Sequence, residues 1–240
     1  MNAYSQVSDD IDSVENMIIY SNEHFGQVIA HNLGMGVGYR IGKNTSAFNT
    51  RIFTAEVVTM RSWKQIKTIN PYYSNSKRYV YGKMNEVFNL RAGIGFRKLL
   101  NDKPYWGGVE LRWITDAGAS IAFEKPYYIY VIKIEQGAGG NYLYNIETEL
   151  FDPNTSWDDI YGRAPFTKGL NEIKLVPGIY LRSGFSFEFG EIKTRIKAFE
   201  AGGMVEFFPG GVSIMADNGE QPFFITFYLA YSFGHRLNKY

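Results

Sequence analysis

Three histidines, His24, His31 and His235, are the side chains of this sequence best suited to acid–base catalysis. A hydrolase or acyltransferase would need one of them beside a nucleophilic Ser and a carboxylate, and none lies in such a spacing or in a metal-ligand pattern. The chain has no Cys, which excludes thiolate metal sites and Cys nucleophiles. The Gly-rich segment 34–38 alternates as a strand instead of opening a helix, so it is not a nucleotide-binding loop. We therefore predict no catalytic, cofactor or metal site, and a protein that is not an enzyme.

The charged side chains lie in a regular pattern with period two. In residues 33–42 every second residue is aliphatic or aromatic, and the residues between them are four glycines and Arg40. The same alternation recurs at 88–97, 109–123, 179–189, 199–207 and 223–234. Strict alternation over such lengths predicts β-strands with one apolar face.

The composition of the polar rows indicates which face is inside. A solvated face would be rich in Lys, Glu, Thr and Ser. These rows are instead rich in Gly, with Arg and Asp/Glu between the glycines in numbers that nearly cancel in charge. Arg suits bidentate, partly buried pairing. We predict that these side chains fill a barrel lumen as an ion-pair network, with the apolar rows facing lipid. The predicted network is Arg40, Glu56, Arg91, Arg97, Glu110, Arg112, Asp116, Arg182, Glu188, Glu200 and Glu206.

The connections between strands support the same architecture. Strands are predicted near 17–31, 34–43, 48–61, 78–98, 105–124, 173–190, 192–208 and 222–236. Short and long links alternate between these strands, as they do in outer-membrane barrels. The tight first link at Asn32 is the exception. We predict an all-β fold, a closed antiparallel up-and-down transmembrane barrel of eight strands. Ten strands, with 127–134 and 141–149 added, are the alternative. The predicted organisation is an N-terminal tail, 1–16, and one barrel domain, 17–240.

The composition indicates which partners and which cellular location to expect. The 240 residues include 25 Lys+Arg and 24 Asp+Glu, a net charge of +1, which argues against a nucleic-acid partner. No stretch is apolar for long enough to form a transmembrane helix, but a membrane β-strand needs only about 9–11 residues. Aromatic residues make up 17%, and we predict an aromatic girdle of Tyr79, Tyr81, Tyr105, Trp106, Trp113, Tyr127, Tyr128 and Tyr130. The expected location is the outer membrane, in contact with the lipid bilayer and lipopolysaccharide.

The longest predicted loop, 125–172, is expected to fold as a cap over one end of the barrel. It is too rich in aromatic residues to be disordered. Aromatic side chains are common interface anchors, and the predicted contacts with a partner protein or surface glycan are Tyr128, Tyr144, Trp157, Tyr161 and Phe166. Equally open is a cap that packs only on its own barrel.

Several segments resemble a family of small outer-membrane β-barrel proteins from Bacteroidetes-type bacteria. The similar segments are 38–43, 69–73, 79–83, 151–153, 160–166, 176–182, 184–190, 208–209, 214–216 and 231–234. The resemblance implies location and architecture, and it carries no catalytic residues with it. By analogy, it suggests a non-enzymatic structural or accessory subunit of an envelope assembly or secretion complex. The alternatives are a lipid-modifying enzyme with a His/Ser/acid site at the barrel rim, or a soluble lipocalin-like lipid binder.

Overall fold

The protein is described by a computed structural model that covers residues 20–46, 48–102, 108–136, 141–189 and 194–237. In chain order its strands are β1 (Asn22–His31), β2 (Gly34–Asn44), β3 (Asn49–Met60), β4 (Lys67–Thr68), β5 (Tyr79–Val80), β6 (Asn85–Asn101), β7 (Glu110–Pro126), β8 (Tyr128–Gln136), β9 (Tyr142–Leu150), β10 (Ile160–Arg163), β11 (Lys174–Glu188), β12 (Arg195–Ser213) and β13 (Glu220–Leu237). Short 3-10 helices lie at Trp157–Asp159, Leu170–Glu172 and Ala216–Asn218. None of the helices in the described ranges is long and apolar enough to cross a bilayer.

Eight of these strands form a closed barrel in the order β1-β13-β12-β11-β7-β6-β3-β2. All neighbours are antiparallel, and β1 closes the ring by pairing with both β2 and β13. The predicted eight-stranded up-and-down barrel is therefore confirmed. The predicted tail, 1–16, lies outside the described residues.

The ten-stranded alternative is wrong, although its two additional strands exist. Strand β7 pairs directly with β11 over their full length, from Lys174 opposite Glu124 to Glu188 opposite Glu110. Because this pairing leaves no gap, β8 and β9 cannot enter the barrel wall. They form a separate three-stranded sheet with β10, in the order β10-β8-β9.

The two ends of the barrel carry connections of different length. Both termini of the barrel, Asn22 and Leu237, are paired with each other at the end that also carries the short β2–β3 link. The longer links, 61–84 and 127–173, lie at the opposite end. The tight β1–β2 turn also lies at that end, where Asn32 donates its N–H to the carbonyl of Phe227 and accepts the N–H of Phe227, both at 3.2 Å.

The lumen at the long-loop end is closed by an apolar layer. Its members are Met60, Val80, Val87, Ala122, Val176, Phe208, Val212, Ile214, Met215 and Phe224. Most of them are side chains near the ends of barrel strands, whereas Val80, Ile214 and Met215 come from the connections between those strands. This layer is the main aliphatic core of the molecule and seals one mouth of the barrel.

Glycine on the inner face makes room for long side chains that cross the lumen. Gly184 and Gly202 are paired across β11 and β12, directly beside the hydroxyl of Tyr228. A Cβ atom added to Gly184 or Gly202 would lie 2.8 or 2.9 Å from that oxygen. The tyrosine therefore reaches the charges in the lumen only because these two positions lack side chains.

Candidate functional sites: the lumen and the cap

The centre of the lumen is organised around Arg182 on β11. Its Nε and Nη2 donate to the carboxylate of Asp116, at 2.9 and 2.5 Å, and its Nη1 donates to Oε1 of Glu56 at 2.5 Å. The guanidinium lies 5.4 Å from the ring centre of Tyr228 and 5.9 Å from that of Tyr180. These contacts hold one buried cation between two carboxylates and two aromatic rings.

Two further arginines extend this network. Arg40 donates to both oxygens of Glu200, at 2.6 and 3.1 Å, and the hydroxyl of Tyr228 donates to the same carboxylate at 2.6 Å. Arg91 binds Glu206 in the same bidentate manner, at 2.9 and 2.7 Å. Bidentate, charge-assisted pairs fix geometry as well as charge. The network therefore links opposite walls of the barrel.

A second cluster fills the lumen near the termini. Glu23 accepts from Arg97 at 2.6 Å and from Arg236 at 3.0 Å, and Arg236 also donates to Glu188 at 2.6 Å. The two remaining residues of the predicted network, Glu110 and Arg112, pair with each other. All eleven predicted positions thus line the lumen in ion pairs.

Sequence reasoning missed Glu23 and Arg236. Arg236 continues the inward row of β13 by one step, so extending that row from Gly234 would have found it. Glu23 lies on β1, whose inward positions also include Phe25 and Ile29. Because that row mixes charge with apolar residues, alternation did not reveal it.

The outer wall shows the opposite character. Phe185, Phe187 and Leu229 are 47%, 41% and 65% exposed, whereas Arg91 and Arg182 are 1% and 2% exposed. This is the inside-out arrangement of an outer-membrane β-barrel. The soluble lipocalin-like alternative is wrong, because such a barrel would bury the aromatic rows and leave the arginines in water.

Part of the predicted aromatic girdle is wrong. Tyr79 and Tyr127 are buried in an apolar cluster of the cap, so they do not face lipid. Trp113 is exposed on the outer wall and donates its indole N–H to Ser183 at 3.0 Å. Tyr105 and Trp106 lie outside the described residues.

The histidines lack the contacts of a hydrolase triad in the described part of the chain. His24 Nδ1 lies 3.2 Å from the hydroxyl of Tyr39, and His31 Nδ1 accepts the backbone N–H of Leu33 at 3.3 Å. Nor do three or more potential metal ligands come together there. The hydrogen bonds of His24 and His31 are with neighbouring parts of the wall, not with a Ser and a carboxylate.

The cap, residues 125–172, is held by its own apolar cluster. Tyr127, Ile129, Val131, Phe151 and Ile160 pack there with Tyr79 from the loop 61–84. Burial raises the pKa of Tyr127 and that of Tyr79 above their ordinary values. The cap and the 61–84 loop therefore form one folded layer.

The aromatic residues predicted to contact a partner differ in their packing and exposure. Trp157 packs on Tyr72, Tyr161 on Tyr73 and Phe166 on Phe88, with ring centres 5.8 to 6.0 Å apart. The Tyr128 hydroxyl donates to Glu172 at 2.7 Å, which raises the pKa of Tyr128. Tyr144, by contrast, is 67% exposed on β9.

Tyr144 belongs to a hairpin, β8 with β9, whose outer half projects from the cap. The inner half of β8 buries Ile129, Val131 and Ile132, whereas β9 is exposed along most of its length. The exposed apolar residues of the outer half are Ile134, Tyr142, Leu143, Tyr144 and Ile146. Lys133 pairs with Glu147 and Glu149 across the hairpin, and these hydrogen bonds raise the pKa of Lys133.

Comparisons with known proteins add little beyond the fold. No protein-family model matches the sequence, and no curated protein matches it at a significant level. The neisserial surface protein A (NspA) aligns structurally over 90% of this chain and 96% of its own, with 7% identity and a TM-score of 0.43. Ail, the attachment invasion locus protein of Yersinia pestis, aligns over 90% and 95%, with 8% identity and a TM-score of 0.36. Similarity this low establishes neither a family nor an activity.

Proposed function

We propose that this outer-membrane barrel is a non-enzymatic structural or accessory subunit of an envelope assembly or secretion complex. The observation that carries the proposal is the projecting hairpin, which presents apolar side chains on a barrel whose lumen is filled. The motifs shared with the Bacteroidetes-type barrel family support the same role by analogy.

The hairpin has two properties of a binding surface. Strand β9 lies at the edge of its sheet, so one side of its backbone is available to pair with a strand of another chain. Tyr144 and Ile146 lie on one face of that edge, and Leu143 lies on the other; all three are exposed. Natural proteins usually blunt an exposed edge with charged side chains. On β9 the charges, Glu147 and Glu149, are confined to the inner half, so the outer half is an exposed apolar edge of the kind that marks an interaction site.

Substitution of Tyr144 and Ile146 by Ser is expected to abolish partner binding while leaving the barrel intact. The double variant removes two apolar side chains without disturbing the buried cluster at the base of the hairpin. Interface anchors of this kind each contribute about 2 kcal/mol or more, so partner recovery should fall by at least about tenfold. The measurement is quantitative mass spectrometry of proteins that co-purify after gentle detergent extraction at native expression level.

A matched control is available in the other long loop. Trp63 and Ile66 are even more exposed than Tyr144 and Ile146, and their double substitution by Ser removes at least as much exposed apolar area at a different place. Equal loss of the partner in both variants, or no loss with the hairpin variant, would contradict the proposal. The shift of the folded barrel on unboiled denaturing gels checks that each variant is folded.

The filled lumen also predicts that the protein conducts no ions. An eight-stranded barrel encloses just enough space for side chains, and here the space holds an apolar layer above two ion-pair clusters. Purified protein in planar bilayers should therefore show no steady channel current. A long-lived open conductance would show that the lumen rearranges, and it would favour transport over a structural role.

A further inference from the structure

A cavity of about 420 Å³ lies at the rim of the barrel, at the end that carries the long loops. It is bounded by the ends of β3 and β6, by the 61–84 loop and by the cap. Its charged lining residues are Arg61, Lys67, Arg78, Lys83, Glu86 and Arg163. We call it the cationic cavity.

The charge of this cavity is far from balanced. Five of the six charged residues are cations, in a protein whose net charge is only +1. In the described part of the chain, Arg61, Lys67 and Arg78 form no ion pair with a carboxylate. The lone acid, Glu86, is already shared by Lys83 and Arg163, each at 3.6 Å, and by Lys125 at 3.3 Å. Within the described ranges, the surplus positive charge is therefore not compensated by ion pairs.

The walls of the cavity increase the effect of that charge. Lys83 lies 5.2 Å from the ring centre of Tyr127, and burial lowers the pKa of Lys83. The Tyr127 hydroxyl accepts the N–H of Val80 at 3.2 Å, which leaves its own proton available to a ligand. Cations that are partly removed from water attract an anion more strongly than fully solvated ones do.

The position of the cavity indicates where such an anion comes from. Thr59 and Phe88, which both line the cavity, are paired across β3 and β6 on the outer face of the wall. The pair two residues further down that face, Val57 and Leu90, is exposed where lipid tails would lie. The cavity is thus at the level where the headgroups of the outer leaflet begin.

We propose that the cationic cavity binds the phosphate groups of an outer-leaflet glycolipid headgroup. The proposal rests on the membrane position of the barrel and on the general rule that outer-membrane barrels carry their long loops on the extracellular side, and it is independent of any protein partner. Arg61 and Arg78 supply planar, multidentate donors suited to phosphate, and Lys67 and Lys83 add point charges. Phe88 and Phe166, packed edge to face at 6.0 Å, offer apolar contact to the lipid below the phosphate.

The test measures binding of doubly phosphorylated lipid A to the purified full chain in detergent micelles, by fluorescence titration. Arg61→Gln with Arg78→Gln should weaken binding by about tenfold or more, because two charge-assisted phosphate contacts are lost. The control is Arg51→Gln with Lys197→Gln, two exposed cations of the opposite half of the barrel, which changes the net charge equally and should leave binding unchanged. Enzymatically dephosphorylated lipid A should bind the wild-type protein as weakly as the doubly phosphorylated lipid binds the cavity variant.

The outcomes separate the site from its ligand source. Equal weakening by both double variants, or binding that ignores the lipid phosphates, overturns the proposal. Glucosamine 1-phosphate that binds as tightly as the lipid would confirm the phosphate site but overturn the lipid source. A cavity variant that loses lipid A but retains the partner protein would confirm the lipid site and show that it is separate from the subunit role. A cavity variant that still binds lipid A normally would overturn the lipid proposal and leave the subunit role unaffected.

Discussion

Replacing Arg182 with Met is expected to lower the free energy of unfolding by about 3–5 kcal/mol, because two buried carboxylates lose their closest cation and keep only longer contacts with Arg40 and Arg91. Asp116 would lose all three of its close contacts with the guanidinium, and Glu56 would lose its shortest one. The water that could solvate these carboxylates in an open pore is largely replaced here by side chains. Urea unfolding in lipid vesicles, followed by tryptophan fluorescence, measures the change.

Three further variants identify the cause of that loss. Arg195→Met removes an exposed arginine and should change stability by less than about 0.5 kcal/mol. Arg182→Lys keeps the charge but loses the bidentate geometry, so it should fall between wild type and Arg182→Met. Adding Asp116→Asn to Arg182→Met removes a buried negative charge that has lost its close partner, and it should recover part of the stability. A loss below about 1 kcal/mol for Arg182→Met would show that the network does not hold the barrel together.

The barrel itself was predictable from sequence because its two faces differ in kind. On β13, for example, Phe223, Leu229 and Phe233 occupy the row that faces outward, and Thr226 occupies the inward row. A pattern of period two reports directly which side chains share a face. The combination of glycine with arginine on the inward rows then fixed which face was the lumen.

Two parts of the fold could not be predicted in the same way. The segments of β8 and β9 have strand patterns, but a pattern does not name the strand's partner, so barrel and cap remained alternatives. Only the direct pairing of β7 with β11 decides between them. The ends of β1 and β13 meet in a cluster whose members, Glu23 and Arg236, are more than 200 residues apart in sequence.

The cationic cavity was not predicted, although the sequence carries part of its signal. Residues 61–85 contain Arg61, Lys64, Lys67, Lys77, Arg78 and Lys83 and no acidic residue. A balanced net charge conceals this local excess. Such an excess of positive charge is also typical of an ordinary solvated loop. Here the basic segment forms one side of a cavity, because Arg163 and Tyr127 from the other long loop line its far side.

Replacing Leu229 with Arg is expected to cost about 2–4 kcal/mol of stability, or to prevent insertion, if the outer wall faces hydrocarbon. Leu229 lies near the middle of β13, 65% exposed, between Ala30 and Ala201 of the neighbouring strands. An arginine there has no carboxylate within its own face of the wall, and its charge must either enter lipid or distort the bilayer. The measurement is the same urea titration in vesicles, with the folded fraction read from the gel shift.

The depth of the substitution supplies the control. Leu175→Arg, at the long-loop end of β11, should cost only about 0–1 kcal/mol, because the side chain can reach the interface. Leu143→Arg, on the projecting hairpin, should cost nothing measurable, since an exposed position in water tolerates such a change within about 0.5 kcal/mol. These three leucines are all at least half exposed, so exposure alone predicts three equal results. A stability loss that decreases from Leu229 to Leu175 to Leu143 would therefore show that the three positions lie in different media. Equal small losses at all three positions would show that the outer wall faces water and not lipid.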